Sequence, residues 1–238
     1  MRNWIAAIVM SLVALPGVAL GAGGEVPKHM EPKLDKETLR DGARTFAQNC
    51  MGCHSAKYMR YTKLQKHLGM GKSEVEDDLM LGTVSINDHM KSAMTKEQAE
   101  AWFGAPAPDL SLVTRVQGVD WVYSYLLAFH RADTSTGWDN HVFPQVSMPN
   151  VLYNMTEDAP GYYDKLSSAH AGEDGHVEYP EVPEKLDTKV QNLVSFLRYA
   201  GDPSVLARHS MAPWVLLFLV VLGVLTYLVK KEYWRDIH

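Results

Sequence analysis

The sequence predicts a mainly α-helical domain with long loops, followed by one C-terminal transmembrane helix. Three observations support this fold class. Several segments carry apolar residues at helical spacing, few segments alternate as strands do, and one long uncharged apolar run lies near the C-terminus. The chain has 238 residues and no internal repeat. Its central part is therefore long enough to form one domain with its own core.

The first 22 residues have the pattern of an export signal. Arg2 gives a positive start, residues 5–15 are almost wholly apolar, and small residues near Ala22 suit cleavage. A retained membrane helix is the alternative, but the apolar run is short for a span. We therefore expect a cleaved signal peptide at 1–22 and an exported domain at 23–207.

Within this domain, helices alternate with loops that contain proline and glycine. Residues 35–49 are amphipathic, because Leu39, Ala43, Phe46 and Cys50 recur at one helical face. Thr95 and Gln98 have the spacing of a capping box at the start of another helix. Helices are predicted at 35–49, 73–78, 95–103, 118–130 and 187–199, and loops at 104–109, 133–149 and 162–183.

The C-terminal apolar run, residues 211–229, holds 19 residues without a charge. As a helix it would extend about 29 Å, enough to cross the hydrocarbon core of a bilayer. Trp214 and Tyr227 lie near its ends, and Lys230 and Lys231 follow it, as expected at the cytoplasmic side. A buried core helix is the alternative. We expect a transmembrane anchor at 208–231 and a short cytoplasmic tail at 232–238.

The exported part is acidic. Between residues 23 and 210 there are 19 Lys and Arg against 26 Asp and Glu, a net charge of −7. No basic patch indicates a nucleic-acid partner. Acidic residues are concentrated at 74–78 and at 157–187. These stretches are either ordinary solvated surface or a docking face for a basic redox protein, whose encounter opposite charge would accelerate.

The chain's two cysteines lie together in Cys-Met-Gly-Cys-His, residues 50–54. Cys-x-x-Cys-His is the attachment motif for c-type haem. Residues i and i+3 of a helical turn share a face, so Cys50 and Cys53 can form thioethers to one porphyrin while His54 reaches the iron. A zinc site would need further ligands, and a thioredoxin-like pair would follow a strand rather than a helix. The motif therefore predicts one covalent haem c.

The second axial ligand of the iron separates an electron carrier from a catalyst with an open site. Met148 lies on a predicted loop between Pro144 and Pro149, and the residue before a proline is held extended. We expect Met148 to be this ligand, with Met155 as the next candidate. Met90 and Met94 are expected to be helical, and the histidine alternatives are His67, His130 and His141.

Taken together, these features resemble the cytochrome c1 family, the membrane-anchored haem subunit of the cytochrome bc1 complex, in its shorter bacterial form. The resemblance covers essentially the whole chain. It is carried by Asn-Cys-Met-Gly-Cys-His-Ser at 49–55, Tyr-Met-Arg-Tyr at 58–61, Ala-Pro-Asp-Leu-Ser at 107–111, the Phe-Pro and Met-Pro pairs at 143–149, residues 193–203 and the tail anchor. The placement of the acidic stretches differs among family members, so the docking face does not follow from the resemblance.

The resemblance implies roles for individual residues and a c-type cytochrome domain as the fold. Cys50 and Cys53 would carry the haem, and His54 and Met148 would ligate its iron. Arg115 would pair with a haem propionate, as a guanidinium suits a partly buried carboxylate. Pro108 would offer its carbonyl to the other nitrogen of His54, which fixes the ring. Trp121 would pack near the haem.

The resemblance also implies partners and a place in respiration. The chain would accept one electron from the Rieske iron–sulfur protein, beside cytochrome b, and pass it to a soluble or tethered cytochrome c. It would make no bond itself, and proton translocation would belong to the complex. The haem domain would lie in the periplasm, anchored in inner-membrane lipid with the C-terminus in the cytoplasm. Two alternatives remain: a stand-alone membrane-tethered shuttle, and an open-site haem enzyme or sensor.

Overall fold

The computed structural model describes residues 28–80, 82, 84–169 and 177–235. The predicted signal peptide lies outside these residues. The helices are α1 (Lys36–Asn49), α2 (Tyr61–Leu68), α3 (Lys72–Asp78), α4 (Lys96–Phe103), α5 (Val113–Val116), α6 (Val119–Leu127), α7 (Ala159–Ser168), α8 (Glu184–Gly201) and α9 (Val205–Tyr233). The strands are β1 (Ala56–Arg60), β2 (His89–Met90), β3 (Phe129–Arg131) and β4 (Trp138–Asn140).

The core is built on the packing of α1 against α8. Phe46 and Phe196 meet with ring centroids 5.6 Å apart. Gly42 is the point of closest approach, since a Cβ built there would lie 2.0 Å from the carbonyl oxygen of Asn192. Beside this contact Asp41 accepts hydrogen bonds of 2.8 Å from Lys189 and from Asn192. Helix α1, which directly precedes the Cys-x-x-Cys-His motif, is thus fastened to α8, which directly precedes the C-terminal helix.

The predicted helices at 35–49, 73–78, 95–103 and 187–199 are confirmed. Asp35 caps α1 by accepting from the Thr38 N–H. The capping box of α4 is complete, because Thr95 accepts from the Gln98 N–H and Gln98 from the Thr95 N–H. Strong local signals of this kind are those that sequence reveals best.

Two short antiparallel pairs, β1–β2 and β3–β4, were not expected from the sequence. β1 pairs with only two residues of β2 and contains an irregularity, so it leaves no alternating pattern to detect. The predicted helix at 118–130 ends instead at Leu127, because the chain turns into β3, where Phe129 pairs with Asn140. That pairing also places β4 inside the predicted loop 133–149.

The prediction of loop over 162–183 was wrong in its first part, since α7 covers Ala159–Ser168. Tyr162 and Tyr163 are buried there and donate hydrogen bonds to the carbonyls of Leu127 and Leu126. These contacts to α6 stabilise a segment whose composition is polar and glycine-containing. Tertiary packing overrides local propensity at this position.

The C-terminal helix α9 runs past both ends of the predicted anchor. Its part from Ser210 to Tyr233 has 24 residues, and an 18-residue window within it has a mean hydropathy of 2.4 and no buried residues. This is long and apolar enough to cross a bilayer. The fold class is therefore confirmed as mainly α-helical, with one apolar helix at the C-terminal end.

Candidate haem-binding site

The Cys-x-x-Cys-His motif begins where α1 ends. The N–H groups of Cys50 and Met51 both donate to the Phe46 carbonyl, and those of Cys53 and His54 both donate to the Cys50 carbonyl. The backbone thus makes a tight turn. The Met51 side chain is fully buried and accepts a hydrogen bond from the Tyr61 hydroxyl. The turn is therefore fixed to the core from inside, with the cysteines on either side of Met51 and Gly52.

Burial favours the protonated form of both thiols. Burial raises the pKa of the Cys50 thiol to about 12, with a further contribution from Cys53, and burial also raises the pKa of Cys53. A catalytic or redox-active cysteine shows the opposite shift. Within the described part of the chain, no three His, Cys, Asp or Glu side chains are grouped to hold a metal ion. The raised pKa values of the two thiols argue against the dithiol alternative.

His54 is held by a backbone carbonyl. Its Nδ1 lies 2.7 Å from the carbonyl oxygen of Pro108, so Nδ1–H must be the donor and Nε2 keeps its lone pair. Burial lowers the pKa of His54, and the hydrogen bond to Pro108 and the charge of Asp109 only partly oppose this. A neutral imidazole with a fixed tautomer is the form that ligates a metal.

The segment around Pro108 is fastened to β1 and the residue before it. The Leu110 N–H donates to the Ser55 carbonyl at 2.8 Å, and the Tyr58 N–H donates to the Ser111 hydroxyl at 3.1 Å. Asp109 accepts from the N–H groups of Lys57 and Ser111, each at 3.0 Å. The Pro-Asp-Leu-Ser residues therefore form a clamp that sets the position of the Pro108 carbonyl.

Met148 belongs to a second group of side chains. Its Sδ accepts a hydrogen bond of 3.4 Å from the hydroxyl of Tyr125 on α6. Burial raises the pKa of Tyr125, so this phenol remains a donor. Sequence reasoning missed Tyr125, because an aromatic residue in an apolar helix is indistinguishable from core.

The loop before Met148 is ordered by side chains from β4. Asn140 accepts from the N–H groups of Val142 and Phe143 and donates to the Tyr125 carbonyl at 2.8 Å. Asp139 accepts from the Val146 N–H at 3.1 Å. The loop is therefore braced along its length, as a rigid ligand loop requires.

Trp121 stacks on Tyr125, with ring centroids 5.1 Å apart and planes 8° apart, and meets Phe143 edge-on. Its Nε1 is buried and has no hydrogen-bond partner among the residues that the structure describes. Arg115 is exposed on α5, with Nη1 3.4 Å from the Gly201 carbonyl oxygen. The predicted contact of Arg115 with a propionate stays a prediction.

The alternative ligands have other surroundings. His130 and His141 stack on each other with centroids 3.8 Å apart, and His67 bonds the Tyr199 hydroxyl. Met90 lies fully buried in β2, so the expectation that it is helical was wrong. Met155 is partly buried against the core.

The residues present fit a haem. The structure gathers Cys50, Cys53, His54 and Pro108 into one group, and joins Met148 and Trp121 into another through Tyr125. The first group offers two thiols and an imidazole with a free Nε2, and the second offers a thioether. The indole N–H of Trp121 is buried without a partner among the described residues, so it suits an acceptor supplied from outside the protein, such as a haem carboxylate.

Comparison with known proteins supports this interpretation. The family model described as "Cytochrome C1 family" matches residues 27–237. The cytochrome c1 of Allochromatium vinosum is 38% identical over 248 residues, which cover all of both chains. The ammonia monooxygenase gamma subunit of Nitrosomonas europaea is 36% identical, with 97% of each chain covered. The cytochrome c1 of Rhodospirillum rubrum is 25% identical, with 95% of this chain and 94% of that protein covered. The chain belongs to the cytochrome c1 family, whose members carry haem c and serve respiratory electron transfer in the cytochrome bc1 complex.

Proposed function

We propose that this chain takes one electron from the Rieske iron–sulfur protein and delivers it to a cytochrome c, through one covalently held haem c. Cys50 and Cys53 attach the haem, and His54 and Met148 ligate its iron. The observation that carries the proposal is the hydrogen bond from His54 Nδ1 to the Pro108 carbonyl, directly beside both cysteines. This bond orients the Nε2 lone pair and leaves it available to iron.

Bound haem c would supply a one-electron iron couple, whose potential thioether ligation raises. The chain's own residues hold and orient this couple. The turn at residues 50–54 fixes the two attachment points, and the braced loop 140–148 presents the thioether. Trp121 and Arg115 are the donors proposed for the propionates. The proposed role requires no bond to be made or broken on this chain.

The proposed orientation of the chain in the membrane is supported by the predicted export signal and by the basic residues that follow the anchor. The haem domain lies in the periplasm, and α9 crosses the inner membrane with Lys230 and Lys231 on the cytoplasmic side, as the positive-inside rule requires. The anchor keeps the domain beside cytochrome b and the Rieske protein, which raises their effective concentration. Proton translocation is a property of the whole complex.

The ligand assignment is tested by optical and near-infrared spectra of the full-length protein. Met148→Leu should abolish the methionine–iron charge-transfer band of the oxidised protein and lower the potential, because the thioether is lost. Met155→Leu is the matched control, since it makes the same change at another partly buried methionine and should leave both the band and the potential unchanged. An unaltered spectrum in Met148→Leu would place the ligand elsewhere. Ready binding of carbon monoxide by the wild type would favour the open-site alternative.

A second candidate is raised by the similarity to the Nitrosomonas europaea protein named as an ammonia monooxygenase gamma subunit. On this reading the chain would be the electron-transfer subunit of a monooxygenase. Purification through a tag on the chain separates the two assignments. Recovery of cytochrome b and the Rieske protein supports the first, and recovery of monooxygenase subunits without them supports the second.

A further inference from the structure

The hydroxyl of Tyr125 donates a hydrogen bond to the Met148 sulfur, with 3.4 Å between Oη and Sδ. A thioether sulfur has two lone pairs. One can be given to iron while the other accepts a hydrogen bond from the phenol. The contact can therefore persist when Met148 acts as a ligand, which is the assignment on which this inference rests.

The Tyr125 ring is held on two sides. Trp121 stacks on one face at 5.1 Å, and Phe129 meets the ring in an edge arrangement with centroids 5.2 Å apart. A ring fixed in this way cannot swing its hydroxyl to solvent without breaking both aromatic contacts. The position of the hydroxyl is therefore set by the fold rather than by the sulfur.

Tyr125 also holds the other end of the same loop. Its backbone carbonyl accepts from Asn140 Nδ2 at 2.8 Å, and Asn140 in turn accepts from the Val142 and Phe143 N–H groups where the loop starts. A single residue of α6 thus contacts both the beginning of the loop and the sulfur at its end. This arrangement fixes the sulfur relative to the helix.

We propose that Tyr125 is a positioning residue that directs the Met148 sulfur toward the iron and tunes its strength as a ligand. A hydrogen-bond donor withdraws electron density from the sulfur and makes it a weaker donor. The oxidised iron depends on that density more than the reduced iron does, so the phenol favours the reduced state and raises the reduction potential.

The test is a redox titration of the full-length haem protein carrying Tyr125→Phe, which keeps the ring and removes only the hydroxyl. The charge-transfer band of methionine ligation should remain. The equilibrium constant for reduction should fall about three- to tenfold, because one neutral hydrogen bond of modest net strength is lost. A tenfold fall corresponds to ~59 mV for a one-electron couple.

Tyr162→Phe is the matched control. It also removes a buried phenol hydroxyl, but that hydroxyl donates to the Leu127 carbonyl and not to the sulfur. This variant should lose stability without a change of potential. A Tyr125→Phe potential equal to or above that of the wild type overturns the inference, and so does an equal fall in both variants.

These outcomes are distinct from a failure of the ligand assignment. If Met148→Leu keeps the charge-transfer band, Met148 is not the ligand, whatever Tyr125→Phe does. If Met148→Leu loses the band while Tyr125→Phe has the wild-type potential, Met148 is supported as the ligand and the proposed role of Tyr125 is wrong.

Discussion

Asp109 shows how one carboxylate can help to set the position of a side chain, here the proposed iron ligand His54, to which it makes no hydrogen bond. It accepts from the N–H groups of Lys57 and Ser111, which belong to the two segments joined beside His54. Pro108, whose carbonyl contacts His54, directly precedes Asp109 in the chain. The orientation of the His54 imidazole therefore depends on the two hydrogen bonds that Asp109 accepts.

We predict that Asp109→Ala lowers the free energy of unfolding of the haem protein by about 1–2 kcal/mol, since two backbone donors lose a charged acceptor. The measurement is urea unfolding followed by the haem absorption and by circular dichroism. Asp133→Ala removes an exposed loop carboxylate and serves as the control, with an expected effect within ~0.5 kcal/mol. Equal effects of the two variants would contradict the clamp.

The sequence revealed the attachment motif because Cys50, Cys53 and His54 are adjacent in the chain. Pro108 was predicted only from the family resemblance, and Met148 from that resemblance and from its place on a proline-flanked loop. Their contacts join residues far apart in sequence, so no local motif indicates them. No feature of the sequence indicated a role for Tyr125 at the site. Its hydroxyl contacts a sulfur 23 residues away, and nothing in the sequence of an apolar helix indicates such a contact.

At the scale of elements, the same limit explains which helices and strands were found. α1, α4 and α8 carry caps or an apolar face in their own residues. α7 depends on Tyr162 and Tyr163 reaching carbonyls of α6, and β1 depends on two residues of β2, more than 25 positions along the chain. Elements stabilised by distant partners leave little trace in local sequence.

The α1–α8 contact tolerates no side chain at Gly42. A Cβ there would lie 2.0 Å from the Asn192 carbonyl oxygen and 2.8 Å from the Cβ of Phe196. We predict that Gly42→Ala destabilises the domain by about 3 kcal/mol or more, because a helix backbone must shift. Gly161→Ala on α7, where nothing lies within 4 Å, should instead be neutral or stabilising by about 0.5–1 kcal/mol. Thermal unfolding of the two variants separates close packing from a general intolerance of alanine.

Asp41 makes the same contact sensitive to acid. Burial works to raise its pKa, but hydrogen bonds from Lys189 and Asn192 and the charges of Lys189 and Arg44 outweigh this, so the pKa lies below its ordinary value of 3.8. A carboxyl whose pKa is lower in the folded state contributes stability above its unfolded pKa. That stability is lost as the pH falls through the folded pKa.

Asp41→Asn should therefore cost stability at neutral pH, by under ~1 kcal/mol because the ion pair is partly exposed. The difference from the wild type should shrink as the pH is lowered below the ordinary carboxyl value. Urea unfolding across a pH series measures it. Asp77→Asn, an exposed change on α3, is the control, with an expected effect within ~0.5 kcal/mol. A constant gap between Asp41→Asn and the wild type would contradict the assignment.

At the scale of the whole molecule, the haem-binding domain and the apolar part of α9 do not share a hydrophobic core. Val205 is the last buried residue of the described chain, and the part of α9 from Ser210 to Tyr233 has none. The helix therefore contributes nothing to the domain's core beyond its first turn. Its exposed apolar side chains are instead those expected of a surface covered by lipid or by other membrane helices.

We predict that ending the chain after Ala207 releases a haem domain that is soluble after export and retains the wild-type spectrum, because every contact of the proposed site lies before this point. The same truncation should abolish co-purification with cytochrome b, since attachment to the membrane is lost. Ending the chain after Lys231 removes only the predicted tail and should preserve both membrane attachment and co-purification. Fractionation, absorption spectra and tag purification of the two truncated proteins make the comparison. A shorter protein that stays in the membrane, or that loses its methionine-ligated spectrum, would show that the last helix does more than anchor the domain.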